Sequence, residues 1–347
     1  MIGPAGRVAY ALSQTARVSW FFGQSALAAR LNRRTAPASK RPQGVTTPQT
    51  AEILAELRRL MVRDLANIDA GYYRMPHDLI ELPRKVLRDA VRFFRDLPEV
   101  QRRRRGKIAA EVFEEKREEG SKLPRYYLQN FHYQTDGYLS DRSAELYDHQ
   151  VEVLFGGGAD AMRRQALVPL YHHFRDRRVG ESRLLDVATG TGRFLTFVKD
   201  NYPRLDVTAL DLSPHYLAQA RRLLSPWTRN HFVQAAAENI PAADETFDAV
   251  TCIYLFHELP RKVRAQAASE MARVLKRDGI LVFVETLQKG DRPEFDGLLE
   301  LFPIAFHEPY YADYIRQDLG ELFAGAGLEI VEETLAFMSK VVVLRKR

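Results

Sequence analysis

The sequence has a single cysteine, no long apolar run and no acidic residue among its first 50 positions. Because Cys252 has no second cysteine to pair with, intramolecular disulfides are excluded, which is compatible with a reducing compartment. No stretch reaches the roughly 18 consecutive apolar residues that a membrane-spanning helix needs. At 347 residues the chain is longer than one ordinary domain, so a second domain or a long extension is expected.

The positive charge of the chain is concentrated at its start. The first 50 residues hold seven of the 51 Lys and Arg residues and none of the 45 Asp and Glu residues, so this arm accounts for the net charge of +6. Apolar residues between Val8 and Leu31 could form an interrupted amphipathic helix. Such a basic helix is typical of a membrane-surface anchor, and an arm without acids is also typical of an organellar transit peptide. A disordered tail is the third interpretation, favoured by Pro37, Pro42 and Gly44.

The most informative motif is Asp186-Val-Ala-Thr-Gly-Thr-Gly192, which ends an apolar run and begins a helical pattern. A second acid, Asp211, closes the next apolar stretch, nineteen residues after Gly192. This order of strand, glycine turn, helix, strand and acid is how an open α/β sheet holds a nucleoside. The glycines let the backbone approach the ligand closely, and the acid at the end of the second strand can bind both ribose hydroxyls.

Two nucleoside cofactors compete for this motif. A dinucleotide-binding turn needs a third small residue so that helix and strand pack closely, but Leu195 stands at that position. Asp186 would repel a pyrophosphate, whereas a carboxylate there suits the sulfonium and ammonium groups of S-adenosylmethionine. We therefore expect the methyl donor rather than NAD.

Strands and helices alternate through the rest of this half. The apolar runs Phe247–Leu255 and Ile280–Val284 predict strands, and the helix between them is expected to stop at Arg277-Asp278-Gly279. Short connections between alternating elements predict a parallel, doubly wound sheet. Leu328–Val331 and Val341–Leu344 are predicted as the last two strands, only about ten residues apart. Since that gap is too short for a crossover helix, this pair is predicted to be antiparallel.

These motifs resemble those of the class I S-adenosylmethionine-dependent methyltransferases, in the style of the quinone C-methyltransferases and their small-molecule relatives. The resemblance covers residues from about 181 to 347. The segments that carry it are Asp186–Gly192, Val207–Asp211, Glu238–Pro241 with Phe247-Asp248, Arg273–Gly279 and Ala324–Leu328. It implies an α/β fold with a doubly wound, mostly parallel seven-stranded sheet and an antiparallel last strand, preceded by an α-helical N-terminal region. It also implies S-adenosylmethionine as the cofactor.

The resemblance further implies which residues bind that cofactor. The methionine end would lie against Asp186 and the turn through Gly192, the ribose against Asp211, and the adenine beside Ala237 and Glu238. The implied residues are Asp186, Ala188, Thr189, Gly190, Gly192, Asp211, Leu212, Ala237, Glu238 and Phe256. Ala188 replaces the first glycine of the usual turn. Ala236 stands where an acid often meets the adenine amino group, so adenine recognition must rely on backbone groups or on Glu238.

Two neighbouring residues after the fourth strand are candidate catalytic groups. Methyl transfer needs the acceptor atom held in line with the sulfonium, and a base only if that atom carries a proton. His257 follows the strand at the sheet edge, so it is a candidate base, with helix capping or packing as its alternative role. Glu258 is the second candidate, and its alternative is a solvated acid at a helix N-terminus. The strand lacks an Asn/Asp-Pro-Pro-aromatic ending, which counts against nucleobase or protein-amide substrates.

Two aromatic segments are candidates for the acceptor site. Phe295–Tyr314 follows the fifth strand, where this fold inserts its substrate cover, and its apolar density fits a lid over a hydrophobic acceptor. Tyr126–Ser140 precedes the core and could line the acceptor site from above, and ordinary packing explains either segment equally well. The candidate acceptor contacts are His132, Tyr133, His307, Tyr310 and Tyr311. No set of His, Asp and Glu shows convincing ligand spacing, so no metal site is predicted.

The sequence predicts a division of the chain into three regions, and it predicts one activity. Residues 1–50 are the basic arm, residues 51–150 a helical N-terminal region or cap, and residues 151–347 the S-adenosylmethionine-binding methyltransferase domain. We expect O- or C-methylation of a small, hydrophobic acceptor of quinone, isoprenoid, lipid or pigment type. A cytoplasmic protein is expected, peripheral to a membrane if the arm is an anchor and organellar if it is a transit peptide.

Two alternative functions of other classes remain open. The basic arm and the Arg102–Arg105 run would suit a nucleic-acid-directed methyltransferase or adaptor. The acids that follow between Glu111 and Glu119 favour instead a solvated helix face with opposite-charge partners, so nucleic acid is not the expected partner. The other alternative is a protein that binds S-adenosylmethionine and performs different chemistry.

Overall fold

The computed structural model describes residues 2–35, 46–77, 79 and 83–347. Part of the predicted basic arm, including Pro37, Pro42 and Gly44, lies outside the described residues. The helices of the described part are α1 (Pro4–Thr35), α2 (Thr50–Asp69), α3 (Pro83–Gly106), α4 (Glu111–Glu118), α5 (Asp141–Leu154), α6 (Ala159–Arg164), α7 (Leu167–Phe174), α8 (Arg193–Asn201), α9 (Pro214–Leu223), α10 (Arg261–Val274), α11 (Asp296–Ala305), α12 (Tyr311–Tyr314) and α13 (Leu319–Gly325).

Seven strands form one sheet in the order β3-β2-β1-β4-β5-β7-β6. Their bounds are β1 (Arg183–Val187), β2 (Asp206–Asp211), β3 (Asn230–Gln234), β4 (Phe247–Ile253), β5 (Leu275–Thr286), β6 (Leu328–Ala336) and β7 (Ser339–Lys346). The first five strands pair in parallel, and β7 runs antiparallel to β5 and to β6, with Leu281 opposite Leu344. The predicted fold class is therefore confirmed.

The central strands are apolar on both faces because helices cover both faces of the sheet. Leu184 is buried in the core cluster on one side, and its neighbour Leu185 is buried in the cluster on the other. This explains why the strands appear in the sequence as continuous apolar runs, as parallel sheets require. Since the carboxyl ends of parallel strands meet at one edge, Asp186 near the end of β1 and Asp211 at the end of β2 are brought together there.

Two predicted boundaries are wrong. Helix α10 ends at Val274 rather than at Arg277-Asp278-Gly279, because the chain enters β5 directly and Leu275 already pairs with Phe247 of β4. The last two strands are separated by two residues rather than about ten, since β6 continues to Ala336, which pairs with Ser339 of β7. β6 is an edge strand with exposed glutamates, so its apolar run is shorter than the strand itself.

Helix α1 is held against the rest of the chain by a buried carboxylate. Asp64 of α2 is fully buried and accepts hydrogen bonds from the hydroxyls of Tyr10 at 2.5 Å and Tyr73 at 2.6 Å. The guanidinium of Arg164 pairs with the same carboxylate at 2.6 Å. The predicted interrupted helix is thus continuous from Pro4 to Thr35 and packed on the protein. The division of the chain at residues 50 and 150 stays a prediction.

The Arg102–Arg105 run lies at the end of α3 and is largely engaged by other side chains. Arg102 pairs with Glu99 at 2.9 Å and with Glu111 at 2.8 Å. Arg103 is buried, and the guanidinium of Arg104 lies 4.7 Å from the centre of the Phe306 ring. The run does not present a continuous basic surface to a nucleic acid.

Helix length and apolarity also bear on membrane insertion. Among the described residues, no helix is both long and apolar enough to cross a bilayer.

Candidate active site

A carboxylate lies near the carboxyl end of β1. Asp186 is 2% exposed, and its oxygens accept hydrogen bonds from the hydroxyls of Thr189 at 2.7 Å and Thr251 at 2.6 Å. Burial raises the pKa of Asp186 to about 6, although both hydroxyl contacts act to lower it. No cationic side chain pairs with this carboxylate among the described residues. A ligand cation at this edge would restore the charge balance.

A second carboxylate lies at the end of β2. The oxygens of Asp211 accept hydrogen bonds from the backbone N–H groups of Gly190 and Ser213, each at 2.8 Å. Burial raises the pKa of Asp211 to about 6, while these backbone contacts lower it. The carboxylate therefore joins the turn after β1 to the turn after β2.

The turn after β1 requires unusual backbone conformations. Gly190 and Gly192 have φ angles of 56° and 77°, in the left-handed region that favours glycine. Ala188 also has a positive φ, 57°, which is strained for a residue with a side chain. A Cβ on Gly192 would lie 3.0 Å from the Cβ of Ala220, so this glycine allows α8 and α9 to pack closely.

These residues surround a cavity, the sheet-edge cavity, which also has walls from the N-terminal helical region. The lining residues that come from the strands and from the turns that follow them include Asp186, Ala188, Thr189, Gly190, Asp211, Leu212, Ala236, Ala237, Glu238 and Glu258. Those that come from the N-terminal region and α6 include Tyr126, Tyr127, Tyr138, Tyr147, Asp148 and Arg163. The tyrosine-rich segment thus closes the cavity. His132 and Tyr133, the two acceptor contacts predicted in that segment, do not line it.

The far end of the sheet-edge cavity holds an unsatisfied hydrogen-bond acceptor. Glu238 Oε1 accepts a hydrogen bond from the Tyr126 hydroxyl at 2.5 Å. Its Oε2 is buried and has no hydrogen-bond partner among the described residues. Because Ala236 and Ala237 beside it offer no polar side chain, this oxygen is the side-chain acceptor available to a ligand amino group there.

The segment before the core is fastened to the sheet edge by hydrogen bonds. The backbone carbonyl of Tyr138 accepts from the Ser213 hydroxyl at 2.5 Å, and the Tyr138 hydroxyl donates to Glu258. Thr191, in the turn after β1, donates to Asp148 of α5 at 2.9 Å. These contacts hold the tyrosines over the cavity.

His257 is buried behind the cavity rather than exposed in it. Its Nδ1 lies 2.9 Å from both carboxylate oxygens of Glu285 on β5, and Glu285 itself is fully buried. Burial lowers the pKa of His257, but the Glu285 carboxylate outweighs this effect and raises it to about 9. Since the imidazole is protonated at neutral pH, this charge disfavours a role as general base. The role of His257 as a base stays a prediction.

Two further cavities adjoin the site. The α3–α5 cavity, about 270 Å³, lies between α1, α3 and α5 and is lined by His132 and Arg104 among mainly apolar residues. The α11 cavity, about 330 Å³, lies between α1, α11 and the β6–β7 hairpin and is lined by Tyr311. Of the predicted acceptor contacts, Tyr133, His307 and Tyr310 line none of the three cavities. They pack on one another instead, with Gln129 bonded to His307 at 2.6 Å and to Tyr310 at 3.3 Å.

Comparison with known proteins agrees with this geometry. Residues 184–279 match the family model described as a methyltransferase domain. Demethylmenaquinone methyltransferase of Thermotoga maritima is 33% identical over 187 residues, which cover 54% of this chain and 73% of that protein. The chain belongs to the class I S-adenosylmethionine-dependent methyltransferase family. It is therefore an enzyme that uses S-adenosylmethionine.

Two other proteins are also similar to this chain over part of its length. The malonyl-[acyl-carrier protein] O-methyltransferase of Geobacter sulfurreducens is 30% identical over 157 residues, which cover 44% of this methyltransferase and 58% of that protein. A solved S-adenosylmethionine-dependent methyltransferase of Aquifex aeolicus is 19% identical, with a TM-score of 0.38, over 48% of this chain and 82% of that one.

Two residues implied by the resemblance lie away from the sheet-edge cavity of this methyltransferase. Gly192 packs against Ala220, and Phe256 is fully buried between Phe283 and Phe323. Both residues have packing roles, and their predicted part in cofactor binding stays a prediction. Conversely, the residue-level predictions did not include Arg163 or Tyr216, which line the cavity, or Glu285 and Glu308, because nothing in their sequence neighbourhoods marks them as part of a site.

Proposed function

We propose that this methyltransferase transfers the methyl group of S-adenosylmethionine to a small, hydrophobic acceptor of quinone, isoprenoid, lipid or pigment type, at oxygen or carbon. The observation that carries the proposal is the pair of mainly apolar cavities beside the sheet-edge cavity. Tyr147 lines both the sheet-edge and the α3–α5 cavities, and Ser25, Leu154 and Phe306 line both the α3–α5 and the α11 cavities. An acceptor with an apolar tail would fill these spaces while its reactive head faces the sheet edge.

The sheet-edge cavity fits the methyl donor. Asp186 would face the sulfonium and ammonium, and Asp211 would accept from the ribose hydroxyls. The free Oε2 of Glu238 would accept a hydrogen bond from the adenine amino group, because Ala236 provides no acidic side chain for this contact. When bound, S-adenosylmethionine supplies an electrophilic methyl group on a positively charged sulfur.

Glu258 is the group best placed to act on the acceptor. It lines the sheet-edge cavity, and the Tyr138 hydroxyl donates to its Oε1. Burial raises the pKa of Tyr138 well above its ordinary value, so the tyrosine stays a neutral donor to this carboxyl group. We assign to Glu258 the acceptance of the acceptor's proton as the acceptor bonds to the methyl carbon, while the bond from that carbon to sulfur breaks and S-adenosylhomocysteine leaves as a neutral thioether. The protonated His257 behind Glu258 would favour the negative charge of this carboxylate.

Transfer of a labelled methyl group to extracted metabolites tests the proposal. The full chain would be incubated with methyl-labelled S-adenosylmethionine and separate lipid and water-soluble extracts, and the labelled product would be identified by mass spectrometry. The proposal predicts label in an apolar product and none with an Asp211→Ala variant. Label confined to water-soluble products, or to added RNA or DNA, would contradict it.

We also propose that α1 brings the enzyme to a membrane surface. Its exposed face carries large apolar side chains, with Leu12 67%, Leu27 47% and Trp20 38% exposed, while Ser25 of the same helix lines both apolar cavities. An apolar helix face beside these cavities suits an acceptor taken from lipid. Flotation with liposomes should fall in the Leu12→Glu/Leu27→Glu double variant but not in Val331→Glu, at an exposed position on β6. Equal flotation of all three proteins would refute the contact.

A further inference from the structure

A cluster of histidines and glutamates lies where the sheet-edge and α3–α5 cavities meet. His132 comes from the short helical turn Phe131–Tyr133, Glu258 from the turn after β4, and Glu308 from the loop between α11 and α12. One nitrogen or oxygen atom of each residue lies within 4.8 Å of the corresponding atoms of the other two. The sequence predicted no metal site because these residues lie far apart in the chain.

Glu308 is the most unusual member of the cluster. Its side chain is fully buried, and neither carboxylate oxygen has a hydrogen-bond partner among the described residues. The nearest basic atom is Nδ1 of His132, 3.2 Å from Oε1 but outside hydrogen-bond geometry. Burying a carboxylate without donors is costly, so the protein holds this side chain in a place that suits a bound cation.

His257 has the orientation of a metal-binding histidine. Both oxygens of Glu285 lie 2.9 Å from its Nδ1, which leaves Nε2 directed toward the cluster, 3.9 Å from Oε1 of Glu258. Metal-binding histidines characteristically have their second ring nitrogen bonded to a carboxylate or carbonyl in this way. Glu285 would thus orient a fourth ligand, and the bound ion would displace the proton that Nε2 carries in its absence.

The cluster contains enough carboxylates to balance the charge of a bound cation. Three glutamates, Glu258, Glu285 and Glu308, face two imidazoles at this place. In the part of the chain that the structure describes, no Lys or Arg forms an ion pair with any of the three glutamates. A bound ion would displace the proton that His257 carries, and the carboxylates would then balance the charge of the ion.

We propose that His132, Glu258 and Glu308, with His257 as a fourth ligand, bind one divalent transition-metal ion such as Mn²⁺ or Zn²⁺. Imidazole ligands favour these ions over Mg²⁺ and Ca²⁺, which prefer oxygen. Glu258 lines the sheet-edge cavity and His132 lines the α3–α5 cavity, so the ion would face the reactive head of the acceptor. If the proposed function holds, on which this last step rests, the ion selects an acceptor that offers oxygen, such as a phenol or an enol.

Metal binding can be measured on the full chain without any acceptor. After removal of metal with a chelator, calorimetric titration with Mn²⁺, Zn²⁺ and Mg²⁺ should show one ion per chain for Mn²⁺ or Zn²⁺ and much weaker binding of Mg²⁺. His132→Gln and Glu308→Gln should each weaken that binding at least tenfold, and Glu285→Gln roughly tenfold to a hundredfold. Glu329→Gln, at an exposed site on β6, should leave it unchanged.

Circular dichroism and S-adenosylmethionine affinity would establish that each variant is folded. The wild-type titration decides the proposal even if a variant fails to fold: absence of saturable Mn²⁺ and Zn²⁺ binding overturns it, as does equal binding by folded His132→Gln and Glu308→Gln. Methyl transfer to an apolar acceptor in the presence of chelator, with no metal bound, would overturn the ion's role in selecting the acceptor and leave the proposed function intact. Metal binding without methylation of any apolar acceptor would contradict the proposed function alone.

Discussion

The carboxylate of Asp211 accepts a hydrogen bond from the backbone N–H of Gly190 across 2.8 Å, so the end of β2 is tied to the turn after β1. This contact holds the two parts of the predicted nucleoside site in one arrangement. A carboxylate that also binds ribose hydroxyls would contribute to affinity through both oxygens.

Replacing that carboxylate should weaken cofactor binding. Asp211→Asn removes the charge and places an N–H₂ group against backbone donors, so we expect the S-adenosylmethionine dissociation constant to rise roughly tenfold to a hundredfold. Asp206→Asn is the matched control, because Asp206 begins the same strand and pairs with His231 at 2.8 Å, away from the site. Calorimetric titration measures both, and equal affinities in the two variants would contradict the role of Asp211.

Cofactor affinity should also depend on pH. Burial raises the pKa of both Asp186 and Asp211 to about 6, so both carboxyls become protonated as the pH falls below that value. A neutral carboxyl attracts the sulfonium less, and we therefore expect S-adenosylmethionine to bind more weakly at pH 5 than at pH 7.5. Affinity that is constant over this range would be inconsistent with ionised carboxylates at the site.

The same two carboxyl groups should make the ligand-free protein less stable as the pH rises, although cofactor affinity increases over the same range. Their pKa values are raised above the ordinary 3.8, so the folded state binds protons more tightly than the unfolded state. Their contribution to stability is complete below about pH 4 and is lost as the pH rises through 6. The Asp211→Asn variant should accordingly lose less stability than the wild type between pH 5 and pH 7, as measured by urea unfolding.

The strained turn after β1 gives a prediction about stability. Ala188 has a φ of 57°, and a side chain there costs about 1–2 kcal/mol, part of which glycine's greater freedom in the unfolded chain offsets. Ala188→Gly should therefore raise the free energy of unfolding by about 0.5–1 kcal/mol. Ala243→Gly serves as the control, since Ala243 is exposed and is not among the positive-φ residues. Stabilisation by the control, or destabilisation by Ala188→Gly, would argue against strain at this turn.

The parts of this enzyme that were predictable from sequence are those that local patterns specify. The strand, turn and acid of Asp186–Asp211 lie close together in the chain, and their order alone indicated a nucleoside site. The meeting of His132, Glu258 and Glu308 was not predictable, because it depends on how the loop after α11 packs against the segment before the core.

The packing of α1 against the rest of the chain was not predictable from the sequence, for a similar reason. Its attachment depends on long-range contacts that apolar spacing does not reveal, such as those of Tyr10 with the buried Asp64 and of Arg17 with Asp160. Consequently the part of α1 that lines the α3–α5 and α11 cavities could not be distinguished from an anchor or a tail.

The most direct test of the central claim measures how catalytic efficiency depends on the acceptor's apolar tail. Ser25 lines both the α3–α5 and the α11 cavities, so Ser25→Trp should fill the space proposed for the tail, whereas Ala26→Trp, on an exposed position of the same helix, should not. With acceptors that share one reactive head and differ in tail length, we predict that Ser25→Trp lowers kcat/KM for the long-tailed acceptor at least tenfold. It should leave kcat/KM for the tail-less acceptor and the affinity for S-adenosylmethionine unchanged. Equal effects on long-tailed and tail-less acceptors, or no effect on either, would contradict the claim that these cavities bind the acceptor.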